Sequence, residues 1–173
     1  MSQILPLIKR ISQNAREKGG DGRIEKFFVF RFGTKAFAVP AVDIAEVSMP
    51  LSVIDIPQKS DLINGVVNIR GNIIPVVNLR SRIGLDAFYE VGDDSRLLLF
   101  PLKASTHVGM YADDIECRLR DGIIESFPDG YSGEYEKTFR TVIIGNEKFP
   151  LFMIDIWLEK NEIEILLNVV ESF

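Results

Sequence analysis

The chain has 173 residues, of which 46% are hydrophobic and 26% charged, and its formal net charge is −5 at pH 7. This composition fits one globular unit or two small subdomains, and it argues against disorder, a membrane span and a nucleic-acid binder, which usually carries a basic patch. The single cysteine, Cys117, excludes an internal disulfide, and the single histidine, His107, excludes a site that needs two histidines.

Residues 1–22 form a segment of their own. It carries an apolar stripe at helical spacing together with basic side chains. The apolar positions are Ile4, Leu5, Ile8, Ile11 and Ala15, and the basic ones are Lys9, Arg10, Arg16 and Lys18. Glycines at 19, 20 and 22 then form a flexible joint. We interpret the segment as an amphipathic helix that docks on the domain or on a partner, with a frayed tail or membrane-surface binding as alternatives. Since no secretory core is present, we expect a cytoplasmic protein.

The next part of the chain has the pattern of short strands. Phe28, Phe30 and Phe32 alternate with Phe27 and Val29, which puts the two sets on opposite faces of one strand. Turn residues at 33–34 lead into a partner strand through 37–39. Further strands are predicted at 53–57, 62–69 and 73–77, and a short helical turn at 78–83 closed by a glycine.

A second set of strands follows the acidic loop at residues 90–94. These strands are predicted at 96–102, 107–111, 115–119, 141–144 and 149–154, and a helix at 155–170 follows them. Two clusters of about five short strands indicate a mainly β fold of small barrels or curled sheets. We therefore expect one domain over 23–160, with subdomains at roughly 23–90 and 91–160 and the remainder of the C-terminal helix at 161–173.

No pattern of residues indicates catalysis. His107 lies in an alternating run, where a strand histidine is usually structural, and Cys117 alternates with Ile115 and Leu119, which predicts a buried strand position. No glycine-rich phosphate loop follows a strand and opens a helix. We therefore predict that the protein is not an enzyme and has no catalytic residue, metal or cofactor.

The most distinctive stretch is residues 62–80, in which two apolar strands flank a turn that begins with Arg70 and Gly71. Gly65 permits close backbone approach, and Arg70 can present its donor fork to a carboxylate or to backbone carbonyls. An ordinary hairpin with a solvated arginine fits the same residues.

This stretch resembles the CheW-like adaptor domain of bacterial chemotaxis. The matching residues of the family's hallmark run are Gly65, Val66, Asn68, Ile69, Arg70, Gly71, Ile73, Pro75, Val76, Val77, Leu79 and Arg80. Shorter matches extend the resemblance from about Phe27 to Leu158. Asn78 departs from the family's usual aspartate, which removes a charge near the expected groove.

The resemblance implies two SH3-like, five-stranded β-barrel subdomains that share a core, with short N- and C-terminal helices. It implies a non-enzymatic adaptor that couples the cytoplasmic tip of a chemoreceptor, a methyl-accepting protein, to the regulatory domain of a chemotaxis-type histidine kinase. Such a protein is recruited to membrane receptor arrays through its partners, binds no nucleic acid, does not insert into the membrane and is monomeric alone. The implied receptor-binding residues are Ile44, Glu46, Gly65, Asn68, Arg70 and Gly71, whereas the kinase-binding residues stay unknown.

Three other functions stay open at this point. The first is a β-barrel protein that binds a small molecule between the two strand sets. The second is a CheW-like domain repurposed for a pathway other than chemotaxis. The third is an enzyme that uses the carboxylates Asp43, Asp113 and Asp155, although no spacing supports it.

Overall fold

The computed structural model describes residues 23–57, 59–103, 105–125 and 140–173. The helix predicted over residues 1–22 lies outside these ranges. The strands are β1 (Ile24–Phe32), β2 (Lys35–Pro40), β3 (Glu46–Ser48), β4 (Ile63–Ile69), β5 (Asn72–Val77), β6 (Arg96–Lys103), β7 (Thr106–Ala112), β8 (Asp114–Ile115), β9 (Arg120–Ile124), β10 (Thr141–Ile144) and β11 (Glu147–Pro150). Short 3₁₀ helices cover Ala41–Asp43 and Arg80–Ile83, and the α-helices are α1 (Ile154–Trp157) and α2 (Lys160–Glu171).

The strands form two sheets, which confirms the predicted mainly β fold. The first has the order β11-β10-β9-β1-β2, with β8 also paired to β1, and the second has the order β3-β6-β7-β5-β4. The first sheet closes on itself, because Leu151, directly after β11, forms a parallel bridge with Ala38 of β2. The Phe152 N–H donates to the Ala38 carbonyl at 2.8 Å and fixes this closure.

The alternation in β1 separates two hydrophobic cores, as the sequence predicts. Phe30 and Phe32 face the core between the two sheets, which we call the shared core, whereas Phe27 and Val29 fill the inside of the first sheet. A third cluster lies inside the second sheet; it comprises Val67, Ile74, Val76, Leu97, Leu99 and Tyr111. The core between two packed sheets, one of them closed like a barrel, confirms the shared core that the resemblance implies.

Each sheet takes strands from both halves of the chain, so the sheets do not correspond to the expected ranges 23–90 and 91–160. The first contains β1 and β2 together with β8 to β11, and the second contains β3 to β5 together with β6 and β7. The physical reason is the order of pairing: β1 lies between β2 and β9, strands that are far apart in the sequence. Folding of either sheet therefore needs contacts between distant parts of the chain.

Four local predictions are wrong. The strand predicted at 53–57 is absent, because only Ile54 pairs there, in an isolated bridge with Val66. The strand predicted at 149–154 ends at Pro150, and α1 begins at Ile154.

Residues 115–119 do not form one strand, because β8 ends at Ile115 and a bend leads to β9; Cys117 lies in this bend and is exposed rather than buried. The predicted C-terminal helix is two helices, since Leu158 and Glu159 have extended backbones (ψ 129° and 159°). Glu159 and Glu162 then form a capping box, in which each side chain accepts a backbone N–H of the other residue, and α2 begins there.

Candidate functional site

The turn between β4 and β5 has a backbone that fixes where Arg70 points. Arg70 and Gly71 both have positive φ, at 52° and 86°, and Ile69 pairs with Asn72 around them. Positive φ at both central residues is what a two-residue type I′ hairpin requires. The Asn68 Oδ1 accepts the Gly71 N–H at 2.9 Å, so Asn68 and Gly71 hold the turn together while the Arg70 side chain stays largely exposed.

Arg70 joins the two edges of the second sheet. Glu46 lies on β3, at one edge, and Arg70 follows β4, at the other. The Arg70 Nη1 donates to the Glu46 Oε2 at 3.0 Å and its Nη2 donates to Oε1 at 3.2 Å, which is a two-point pair between planar groups. Because the guanidinium is exposed, the pair contributes at most about 1 kcal/mol to the free energy of unfolding. A charged partner can therefore compete for either side chain at low cost.

Apolar side chains flank Glu46. Ile44 is half-buried and packs against the shared core, so it presents only part of its surface. Val42 and Met49, which sequence reasoning missed, are exposed before and after β3. Nothing in the spacing of residues 41–49 distinguishes the exposed apolar side chains from the buried ones.

Gly65 is buried and does not belong to the surface that Glu46 and Arg70 form. A Cβ at this position would lie 2.4 Å from the Ile54 carbonyl oxygen and 2.7 Å from the Val53 Cγ1. The neighbouring Val66, also buried, exchanges two backbone hydrogen bonds with Ile54, at 2.7 and 2.9 Å. The expected close approach is therefore present, but the approaching backbone belongs to this chain. The structure gives Gly65 a role in folding, and its part in the receptor contact stays a prediction.

Asp113, one of the three carboxylates of the enzyme alternative, has both oxygens engaged. Its Oδ1 accepts the Arg80 Nη1 at 2.7 Å, and its Oδ2 accepts the backbone N–H of Gly33 in the β1–β2 turn. Arg80 is buried, and its guanidinium also lies 4.8 Å from the centre of the Tyr89 ring. These contacts make Asp113 part of a structural ion pair between elements of the two sheets rather than a free acid or base.

The space between the sheets, which the small-molecule alternative would use, is filled. Phe30, Phe37, Phe152 and Trp157 pack there with ring centroids 5.2 to 6.3 Å apart. Among the residues that the structure describes, no three His, Cys, Asp or Glu side chains cluster so as to hold a metal ion. Nor does any helix in the described ranges have the length and apolarity to cross a membrane.

Comparison with known proteins identifies the family. The profile of the CheW-like domain matches residues 26–156. The chain is 26% identical over 121 residues to the chemotaxis protein CheW of Bacillus subtilis, covering 69% of this chain and 76% of that protein. It is 23% identical over 167 residues to the probable chemotaxis protein CheW of Rhizobium etli, covering 95% and 96% of the two chains.

A solved structure shows the same fold. The scaffolding protein TtCheW from Thermoanaerobacter tengcongensis superposes with a TM-score of 0.62 over 81% of this chain and 96% of its own, at 21% identity. The range that the family profile matches, residues 26–156, includes every strand from β2 to β11 and most of β1. The chain therefore belongs to the CheW-like family.

Proposed function

We propose that the protein is a non-enzymatic signalling adaptor, which couples the cytoplasmic tip of a chemoreceptor to the regulatory domain of a chemotaxis-type histidine kinase. Membership in the CheW-like family supports a scaffold role in chemotaxis-type signalling. The observation that carries the receptor contact is the exposed two-point pair between Glu46 and Arg70. Val42 and Met49 are exposed apolar residues within four positions of Glu46 in the sequence. We call these four residues the Glu46–Arg70 surface.

This surface has the chemistry that recognition of a helix needs. A helix of the receptor tip docks through a few apolar side chains, for which Val42, Met49 and the accessible part of Ile44 provide contact area. Arg70 and Glu46 carry opposite charges and fix the register of the helix through charge-assisted hydrogen bonds. Asn68 and Gly71 act indirectly, because they hold the turn that presents Arg70.

A titration of the receptor tip into the purified protein tests the proposal. Arg70→Asn is the informative variant, because asparagine tolerates the left-handed backbone of this turn better than most residues. Loss of an arginine at the centre of an interface typically costs about 2 kcal/mol, so we expect roughly thirty-fold weaker receptor binding. Thermal unfolding should change little, since the pair is exposed.

Lys26→Gln is the matched control, because Lys26 also forms an exposed ion pair, with Asp121 at 2.7 Å, but on the first sheet. It should leave receptor binding unchanged. An Arg70→Asn variant that binds the receptor tip as tightly as the wild type would contradict this placement of the receptor surface.

A further inference from the structure

An aromatic side chain in the loop between β5 and β6 is exposed although the loop around it is firmly held. Phe88 lies in residues 84–95, which we call the Phe88 loop, and 77% of its surface is accessible. A phenylalanine exposed to this degree loses apolar contact that burial would provide. Aromatic side chains, phenylalanine included, are enriched at the buried centre of protein interfaces.

Two buried side chains fix the backbone immediately before Phe88. The Asn78 Nδ2 donates to the Ala87 carbonyl at 2.7 Å, and the Arg80 Nε donates to the Asp86 carbonyl at 3.3 Å. The Phe88 N–H then donates to the Asp86 Oδ1 at 2.9 Å. An aspartate side chain at position 78 has no N–H to donate to the Ala87 carbonyl. The departure from the family at this position is therefore a contact that holds the loop.

Tyr89 fixes the other side of Phe88. Its ring lies against the Arg80 guanidinium at 4.8 Å, and its hydroxyl accepts the Asn64 Nδ2 at 3.3 Å. Burial raises the pKa of Tyr89 to about 12, as expected for a phenol enclosed by the protein. Successive residues thus point in opposite directions, with Tyr89 inward and Phe88 outward. Since the loop is already ordered, binding through Phe88 costs little conformational entropy.

The Phe88 loop is rich in acidic residues, and Arg96, which follows it, donates its Nη1 to the Asp93 carbonyl at 2.8 Å. Glu90, Asp93 and Asp94 follow within six residues, and in the described part of the chain no lysine or arginine forms a salt bridge with any of them. Val91 is an exposed apolar neighbour. The complementary surface is an apolar pocket with lysine or arginine side chains at its rim.

We infer that Phe88 anchors a second docking surface, which receives the regulatory domain of the kinase through an apolar pocket with a basic rim. The inference rests on the proposed adaptor function, since an adaptor that holds two proteins at once needs two separate surfaces. Strand β4 provides the separation: Asn64, which contacts Tyr89, and Arg70 are six residues apart, or about 20 Å along an extended strand. The two surfaces therefore lie near opposite ends of β4.

Two titrations with three proteins test the inference. The wild type, Phe88→Ala and Phe173→Ala are each titrated with the regulatory domain and, separately, with the receptor tip. Phe173 is the matched control because it is also an exposed phenylalanine, at the C-terminal end of the chain. We expect Phe88→Ala to bind the regulatory domain at least about ten-fold more weakly and the receptor tip normally, and Phe173→Ala to bind both normally.

The charges around Phe88 provide a second test. Replacing Asp93 and Asp94 together by lysine should slow association with the regulatory domain, and raising the salt concentration should reduce the difference between this variant and the wild type. Full affinity of Phe88→Ala for the regulatory domain, while the wild type binds both partners, would overturn the inference and leave the adaptor function standing. A wild type that binds neither partner would refute the proposed function itself.

Discussion

Removing Asp113 should destabilise the protein far more than removing an exposed carboxylate with the same geometry. The carboxylate lies 2.7 Å from the Arg80 Nη1, and the side chains of Arg80 and Asp113 are only 10% and 30% exposed. Truncating one member of a buried pair leaves the other charge without compensation, which typically costs about 3–5 kcal/mol. Because water reaches part of Asp113, we expect about 3 kcal/mol for Asp113→Ala, including the lost hydrogen bond from Gly33.

The pair between Lys26 and Asp121 is the control, since its N–O distance is also 2.7 Å but its side chains are 58% and 62% exposed. Urea unfolding of Asp113→Ala, Arg80→Met and the double variant gives the coupling energy between the two residues. We expect a coupling energy of at least about 1.5 kcal/mol for Arg80 and Asp113. The corresponding double-mutant cycle on Lys26 and Asp121 should give less than about 0.5 kcal/mol. With a slope of about 2 kcal/mol per molar urea, Asp113→Ala lowers the midpoint by about 1.5 M. Equal coupling energies in the two pairs would refute the argument from burial.

Three further predictions follow from other contacts. Gly65→Ala should lower the free energy of unfolding by about 2 kcal/mol or more, because its Cβ meets the Ile54 carbonyl; an unchanged urea midpoint would contradict this. Between pH 10 and 12 the unfolded chain loses the Tyr89 proton while the folded chain keeps it, so stability should fall as the pH rises, and less steeply in Tyr89→Phe; equal slopes would show that Tyr89 is not responsible. The double variant Glu46→Arg with Arg70→Glu exchanges the two charges, so it should keep the melting temperature and abolish receptor binding. Retained binding would mean that it does not matter which of the two positions carries the positive charge.

The sequence predicts those features that depend on neighbouring residues. Alternation along β1 is read directly from 27–32, and the glycine after Arg70 indicates the turn between two apolar strands. The helical turn closed by Gly84 is confirmed as well, with a left-handed Gly84 at φ 73°. These are local consequences of side-chain period and of the backbone freedom of glycine.

Features that depend on which strands meet are not predictable in this way. Glu46 and Arg70 are 24 residues apart, and they make contact only because β3 and β4 are the two edges of one sheet. Gly65 indicates a close approach, but not that the approaching backbone is Ile54 of the same chain. Likewise, the sequence does not show that the Asn78 side chain is buried and donates to the Ala87 carbonyl. Each of these contacts depends on the tertiary structure, which no single segment encodes.

The most direct test of the adaptor function is whether the protein holds both partners at the same time. The regulatory domain of the kinase is titrated into the protein alone and into the protein saturated with receptor tip, and the mass of the resulting complex is measured by sedimentation. If the two surfaces are separate, the two affinities should agree within about three-fold and a complex of all three proteins should form. Displacement of the receptor tip by the regulatory domain would contradict the account.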